Sequence, residues 1–179
     1  MSEGSAGTVD ANGIAAGTAF LESHGVRHEV VEHRPTFSAA AEARASGTEP
    51  REAAKTLALH DHDGYRMAVI PATHRLDLHR AREVLGATSH LRLATEAELE
   101  QDFPTFDVGA MPPLGPMMPM PEGIDVHLLY HDRILCAGGD HRHALWIDPR
   151  DLVRVCEPRV AAICELPEGR SRFRDLPRV

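Results

Sequence analysis

The chain predicts an α+β fold: a single domain on a mixed, largely antiparallel and partly barrel-like sheet, with helices packed around it. Three observations carry this. Strand-like and helix-like segments follow one another at uneven spacing, whereas a parallel βαβ array would repeat regularly. Two apolar-rich runs flank an Asp63-Gly64 pair, a turn signal of antiparallel hairpins. A length of 179 residues supports one ordinary core and is too short for two large ones.

The elements follow in order. Residues 1–11 are rich in Gly, Ala and Ser and are expected to be a disordered tail. Gly13–Ser23 reads as a helix with Ile14, Phe20 and Leu21 apolar and His24-Gly25 as its stop. A strand over 27–32 follows. Thr36 or Ser38 caps a second helix, Ala39–Ala45, which Ser46-Gly47 ends, and Pro50 opens a short turn. Runs 55–60 and 65–71 form the hairpin. Leu76, Leu78, Ala81, Val84 and Leu85 recur at helical spacing up to Gly86. A short strand covers 90–93 and a capped helix 95–101.

Residues 108–121 contain five prolines, two glycines and four methionines, which excludes a continuing helix or a central strand and leaves a shaped loop. Beyond it, 124–130, Ile134–Ala137 and 144–147 read as three consecutive strands. Asp148-Pro149 opens a helix carrying Leu152, Val153 and Val155. Residues 160–166 fit a short strand or a packed arm, and 168–179 an Arg-bearing loose tail. The expected domain is therefore 12–157, followed by an arm and tail over 158–179.

Composition narrows the function classes. A net charge of −8 argues against indiscriminate wrapping of nucleic acid, which rests on many phosphate-neutralising cations, but leaves room for a basic pocket holding one nucleic-acid end. No apolar run approaches a membrane span, and the first residues lack the basic and apolar regions of an export signal. Cys136, Cys156 and Cys164 show no Cys-x-x-Cys spacing, so neither a disulfide framework nor a thiolate zinc site is expected. A cytoplasmic protein without a cofactor is the expectation.

Lys55 is the single lysine among nineteen basic residues. On a strand it shares a face with Leu57 and Leu59. Two readings stand: a point charge reaching into a pocket toward a phosphate or carbonyl, or a stem laid on apolar surface with its head in water.

In Gly109-Ala110-Met111-Pro112-Pro113, three N–H donors precede two prolines that fix φ and donate nothing. Lining a cavity, such donors form a nest for an oxyanion; otherwise the segment is a Pro-rich connector. Gly138-Gly139-Asp140-His141-Arg142-His143 joins two strands, either as a source of substrate contacts or as a plain turn. His141-x-His143 and His60-x-His62 have spacing compatible with zinc, but no third ligand is evident. There is no Gly-x-Ser-x-Gly elbow and no phosphate-binding glycine loop.

Taken in order, His33-x-Pro35-Thr36, Ala54-Lys55-Thr56-Leu57, Leu76-Asp77-Leu78 ahead of Val84-Leu85-Gly86, Gly109 through Gly115, and Gly138-Gly139-Asp140-His141 resemble the YbaK/prolyl-tRNA synthetase-associated editing domain family. The likeness spans roughly residues 13–155. It implies a free-standing deacylase that hydrolyses the ester of a mischarged aminoacyl-tRNA, a second sieve for side chains that one binding pocket separates poorly. By position the family's essential strand lysine is Lys55, and its Gly-x-x-x-Pro loop is Gly109, Ala110, Met111, Pro112 and Pro113, binding the aminoacyl group and the oxyanion. Asp140, His141 or His143 would orient the aminoacyl group or water, and His33 and Thr36 would line the mouth. The implied partners are the acceptor end of a mischarged aminoacyl-tRNA and an aminoacyl-tRNA synthetase, with no DNA, membrane or metal. The alternative is a non-catalytic module of the same fold that binds an amino acid, a tRNA end or a protein.

Overall fold

A computed structural model describes residues 13–88 and 90–166. The expected N-terminal disorder and the Arg-bearing tail beyond residue 166 lie outside the described residues. The chain runs α1 (Gly13–Ser23), β1 (His28–Glu32), α2 (Ala39–Ala45), β2 (Ala54–Asp61), β3 (Gly64–Pro71), α3 (Leu78–Val84), β4 (Arg92–Leu93) and α4 (Glu96–Asp102). It continues with β5 (Glu122–Asp125), β6 (Ile134–Ala137), β7 (His143–Ile147), α5 (Pro149–Cys156) and β8 (Arg159–Ala161).

Local chemistry sets most of these boundaries. Ser38 accepts from the Ala41 N–H to start α2. Asp77 caps α3 by accepting from His79 and Arg80. Thr95 and Glu98 form a reciprocal capping box on α4. Asp148 caps α5 ahead of Pro149. In the β2–β3 hairpin Asp61 accepts from the Asp63 N–H, and Asp61 pairs with Gly64 across the turn.

The strands form two sheets, β1-β7-β6 and β4-β2-β3-β5-β8. The first is antiparallel throughout; in the second, β5 lies parallel to β3 and β8 parallel to β5, so the sheet is mixed. A parallel bridge between Ala53 and Leu135 joins them at one corner.

The larger sheet is buried on both faces. Met67 and Val69 point into the main core with Leu21, Ile124, Ile134, Leu145 and Leu152. Ala68 and Ile70 point the other way, onto Ala81, Leu85, Leu91 and Ile163. A strand covered on both faces reads as a continuous apolar run, which explains Met67 to Ile70.

One expected strand is wrong. After β5 the chain turns at once into a 3-10 helix, Val126–Tyr130, where a strand over 124–130 is expected from its apolar content. The cause is Asp125. Its fully buried carboxylate accepts from the His127 N–H and ring and from the Ile163 N–H, which curls the chain back and docks the β8 arm. The arm is thereby part of the larger sheet, extended by a bridge between Leu76 and Cys164.

Candidate functional site

Backbone hydrogen bonds bring three distant segments together. The His33 N–H donates to Arg142 O at 2.8 Å and the Thr36 N–H to His141 O at 3.0 Å, tying the chain after β1 to the β6–β7 turn. From the other side the Asp107 N–H donates to Gly139 O at 3.0 Å, and the His141 N–H to the Asp107 carboxylate at 3.2 Å. The turn is thus clamped from two directions. Gly139 (φ 113°) rests directly on Gly13, where an added Cβ would lie 2.2 Å from Gly139 O.

A cavity of about 200 Å³ opens where these segments face β2. Its walls are Thr36, Glu42 from α2, Lys55 and Thr56 from β2, Gly109 and Ala110 from the Pro-rich loop, and Asp140 and His141 from the turn. Strand register explains the opening. Ala72 donates to Ala53 O, so odd-numbered residues of β2 direct their backbone groups at β3 and even-numbered ones away from it. On that outer edge β4 pairs only with Leu59 and His60, and Ala94 donates to Ala58 O. The backbone N–H and C=O of Thr56 are left on the open edge beside the cavity.

Lys55 lies opposite Ile70, on the face of Leu57 and Leu59. It is half-buried. Burial pushes its ammonium below the ordinary lysine range; the Cys164 thiol opposes this slightly and Arg75 adds to it. Among the described residues no carboxylate pairs with it. A desolvated, unpaired cation at a cavity wall favours an incoming anion.

The loop divides into a part that lines the cavity and a part that is buried. Gly109 adopts φ 82° with open space around its Cα, and with Ala110 it reaches the cavity. The three-donor nest expected from sequence is incomplete, because the Ala110 N–H donates to Asp107 O at 3.0 Å and closes a turn. The Gly109 N–H has no partner among the described residues. Met111, Pro112 and Pro113 are buried, Met111 in the main core, and none of them lines the cavity. The Cys156 thiol donates to Pro113 O. These residues hold the shape of the loop that presents Gly109.

The β6–β7 turn presents one carboxylate and one ring. Asp140 accepts from the Arg142 N–H and from His143 Nδ1, each at 2.8 Å, so His143 stands behind Asp140 and outside the cavity lining. His141 lines the cavity and packs against Phe37 with ring centroids 4.6 Å apart.

Glu42 is the residue that sequence reasoning misses. On an Ala-rich helix it reads as a solvated charge, yet it is only 5 % exposed and faces the cavity. Burial, and then the charge of Asp140, push its carboxyl up to about 8. His33 is buried behind it, with Nε2 3.3 Å from Glu42 Oε1.

All three thiols are buried, and burial pushes each above the ordinary cysteine range, so none is a poised nucleophile. Among the described residues no group of three or more His, Cys, Asp or Glu has metal-site geometry. His60 stacks on Tyr65 and contacts Glu98, on a different part of the surface. No helix of the described residues is long and apolar enough to cross a membrane.

No curated protein matches the chain. Among solved structures it is similar to a proposed trans-editing enzyme for prolyl tRNA synthetase, at 29% identity over 86% of this chain and 98% of that one, with a TM-score of 0.76. It is also similar to the hypothetical protein APE2540, at 27% identity over 84% and 99% of the two chains, with a TM-score of 0.75. A scaffold used for epitope backbone grafting shares 27% identity over 87% and 98%, again with a TM-score of 0.75. The pattern of the aminoacyl-tRNA editing domain matches residues 33–155, a span that contains every wall of the cavity. The chain therefore belongs to the aminoacyl-tRNA editing domain family.

Proposed function

We propose that the protein hydrolyses, in trans, the ester that joins a wrong amino acid to the 3′-terminal ribose of a tRNA. The observation that carries this reading is the convergence of an unpaired cation, a free backbone donor and a carboxylate on one small cavity, at Lys55, Gly109 and Asp140. About 200 Å³ is below the roughly 300–1,000 Å³ of drug-sized sites and suits a small aminoacyl group.

Each group has a role in that chemistry. The Gly109 N–H donates to the carbonyl oxygen as it becomes an oxyanion, a contribution of roughly 3 kcal/mol for one such donor. Asp140 accepts from the α-ammonium of the amino acid, and Lys55 attracts the phosphate or ester oxygens of the terminal nucleotide. A water oxygen adds to the carbonyl carbon, the bond to the ribose oxygen breaks, and that oxygen leaves with a proton. A ribose ester is reactive enough that positioning replaces a protein nucleophile, consistent with the buried thiols. The second sieve is needed because side chains that differ by a methylene or hydroxyl are separated only modestly by one pocket.

The test is a panel of mischarged tRNAs incubated with the wild-type protein and with Lys55→Ala. Deacylation of at least one mischarged species, lost by about 100-fold or more in the folded variant, is expected. Equal rates in both proteins would remove Lys55 from the reaction. Binding without loss of any ester would favour the non-catalytic module.

A further inference from the structure

A cavity that admits only an aminoacyl group leaves the nucleoside carrying it outside, and the surface beside the cavity has the chemistry to receive one. A groove of about 570 Å³ adjoins the cavity, shares Thr36 and Ser38 with it, and is otherwise lined by Arg34, Phe37 and Arg44 with two small neighbours. Phe37 is 77 % exposed, an unusual position for a large aromatic ring in a chain that is only 4% aromatic. His141 supports one side of the ring. Arg34 and Arg44 are exposed, and neither forms an ion pair among the described residues. Two unpartnered guanidiniums beside an open ring stand out on a molecule of net charge −8.

We propose that this groove binds the 3′-terminal nucleoside of a single-stranded RNA end, with its base stacked on Phe37 and its flanking phosphates against Arg34 and Arg44. The inference rests on the ester-hydrolysis reading for its choice of ligand. Stacking suits a platform that reads no base edges, since every base offers a π-face. Guanidiniums suit phosphate because their planar fork matches its oxygens. The arrangement places the terminal ribose at Thr36, on the lip of the cavity, so that an attached aminoacyl group extends toward Lys55 and Gly109. A chain of this acidity needs such a local basic contact, because it lacks a broad field to retain RNA.

The experiment uses an uncharged, fluorescein-labelled RNA hairpin ending in the single-stranded ACCA of a tRNA acceptor arm, so its outcome does not depend on ester hydrolysis. Fluorescence anisotropy should show saturable binding by the wild-type protein, weakened about tenfold by Phe37→Ala and Phe37→Leu and retained by Phe37→Trp. Removing the terminal adenosine should cost the wild-type protein a similar factor and the Phe37→Ala variant nothing further. Arg34→Gln and Arg44→Gln should each lower the slope of log affinity against log salt by about one. Circular dichroism confirms that the exposed substitutions leave the fold intact.

Equal affinity of the wild type, Phe37→Ala and Phe37→Leu overturns the proposal, as does absence of saturable binding by the wild type. So does a sedimentation result in which Phe37→Ala dissociates a dimer without changing RNA affinity, which would make the ring a contact between copies. If the RNA results are as expected while no mischarged tRNA is deacylated, the groove stands and the hydrolysis reading falls.

Discussion

His33 Nε2 and Glu42 Oε1 lie 3.3 Å apart, a contact between two buried groups that calls for one shared proton. His33 Nδ1 is 2.7 Å from the carbonyl oxygen of Arg34, which only accepts, so Nδ1 carries the ring hydrogen there. Nε2 and a carboxylate oxygen would otherwise meet lone pair to lone pair. Because burial raises the Glu42 carboxyl to about 8, that proton belongs to Glu42 near neutral pH, and its O–H donates to the ring. A protonated acid therefore stands in the wall of the proposed reaction cavity.

The folded carboxyl of Glu42, at about 8, lies above its ordinary value of 4.5. Between those values the folded state holds more protons than the unfolded state, so the contribution is full below about pH 4.5 and is lost as pH rises through 8. Glu42→Gln keeps a donor toward His33 and cannot ionise. Urea midpoints measured from pH 5 to 9 should fall with pH less steeply in Glu42→Gln than in the wild type. Parallel curves would place the proton elsewhere.

Asp140 is the second influence on Glu42, after burial. Asp140→Asn removes that negative charge and should move the Glu42 titration toward lower pH, as followed by carboxyl ¹³C chemical shifts. The same variant should raise KM for a mischarged tRNA more than it lowers kcat, because an accepting charge for the α-ammonium is lost. An unchanged Glu42 titration would separate the two carboxyls.

Gly109 permits a distinction between strain and crowding. Its φ is 82° and nothing lies within 4 Å of an added Cβ, so Gly109→Ala meets no neighbour and suffers only the left-handed backbone penalty of about 1–2 kcal/mol. A modest loss of stability in urea and a larger loss of deacylation are expected as the N–H turns away from the oxyanion. Full activity in a folded Gly109→Ala protein would exclude the loop backbone from catalysis.

Glu122 anchors the other end of that loop. Its Oε2 accepts from the Gly115 N–H at 2.9 Å while Oε1 is buried without a partner among the described residues. Burial raises its carboxyl to about 7, against the opposing Gly115 N–H. Its stabilising contribution is likewise present below about 4.5 and lost as pH rises through 7. Glu122→Gln should match the wild-type melting temperature at pH 5 and exceed it at pH 8. A variant that melts lower at both values would show that the carboxylate itself is needed.

Much of the secondary structure is legible in the chain because its signals are local. Ser38 before an alanine run, Thr95 three residues before Glu98, and Asp148 before Pro149 each place a helix start through their own backbone contacts. The placement of β5 beside β3, and of β8 beside β5, depends on pairings between residues far apart in sequence. Asp125 reads as the middle of an apolar run until the partner N–H of Ile163 is known. The site shows the same division. Lys55 and Gly109 stand out by composition and backbone chemistry, whereas Glu42 becomes a buried acid only once the chain after β1 is bonded to the β6–β7 turn. The spent N–H of Ala110 is equally invisible without the turn to Asp107.

The close contact of Gly13 with Gly139 makes the first helix part of the candidate site in an architectural sense. Backbone meets backbone there, with no side chain to repack, so the position of Asp140 and His141 is cast against the start of α1 as a keystone is set by its abutment. A shortened chain beginning after α1 would keep every residue of the cavity wall and lose the surface that sets their spacing.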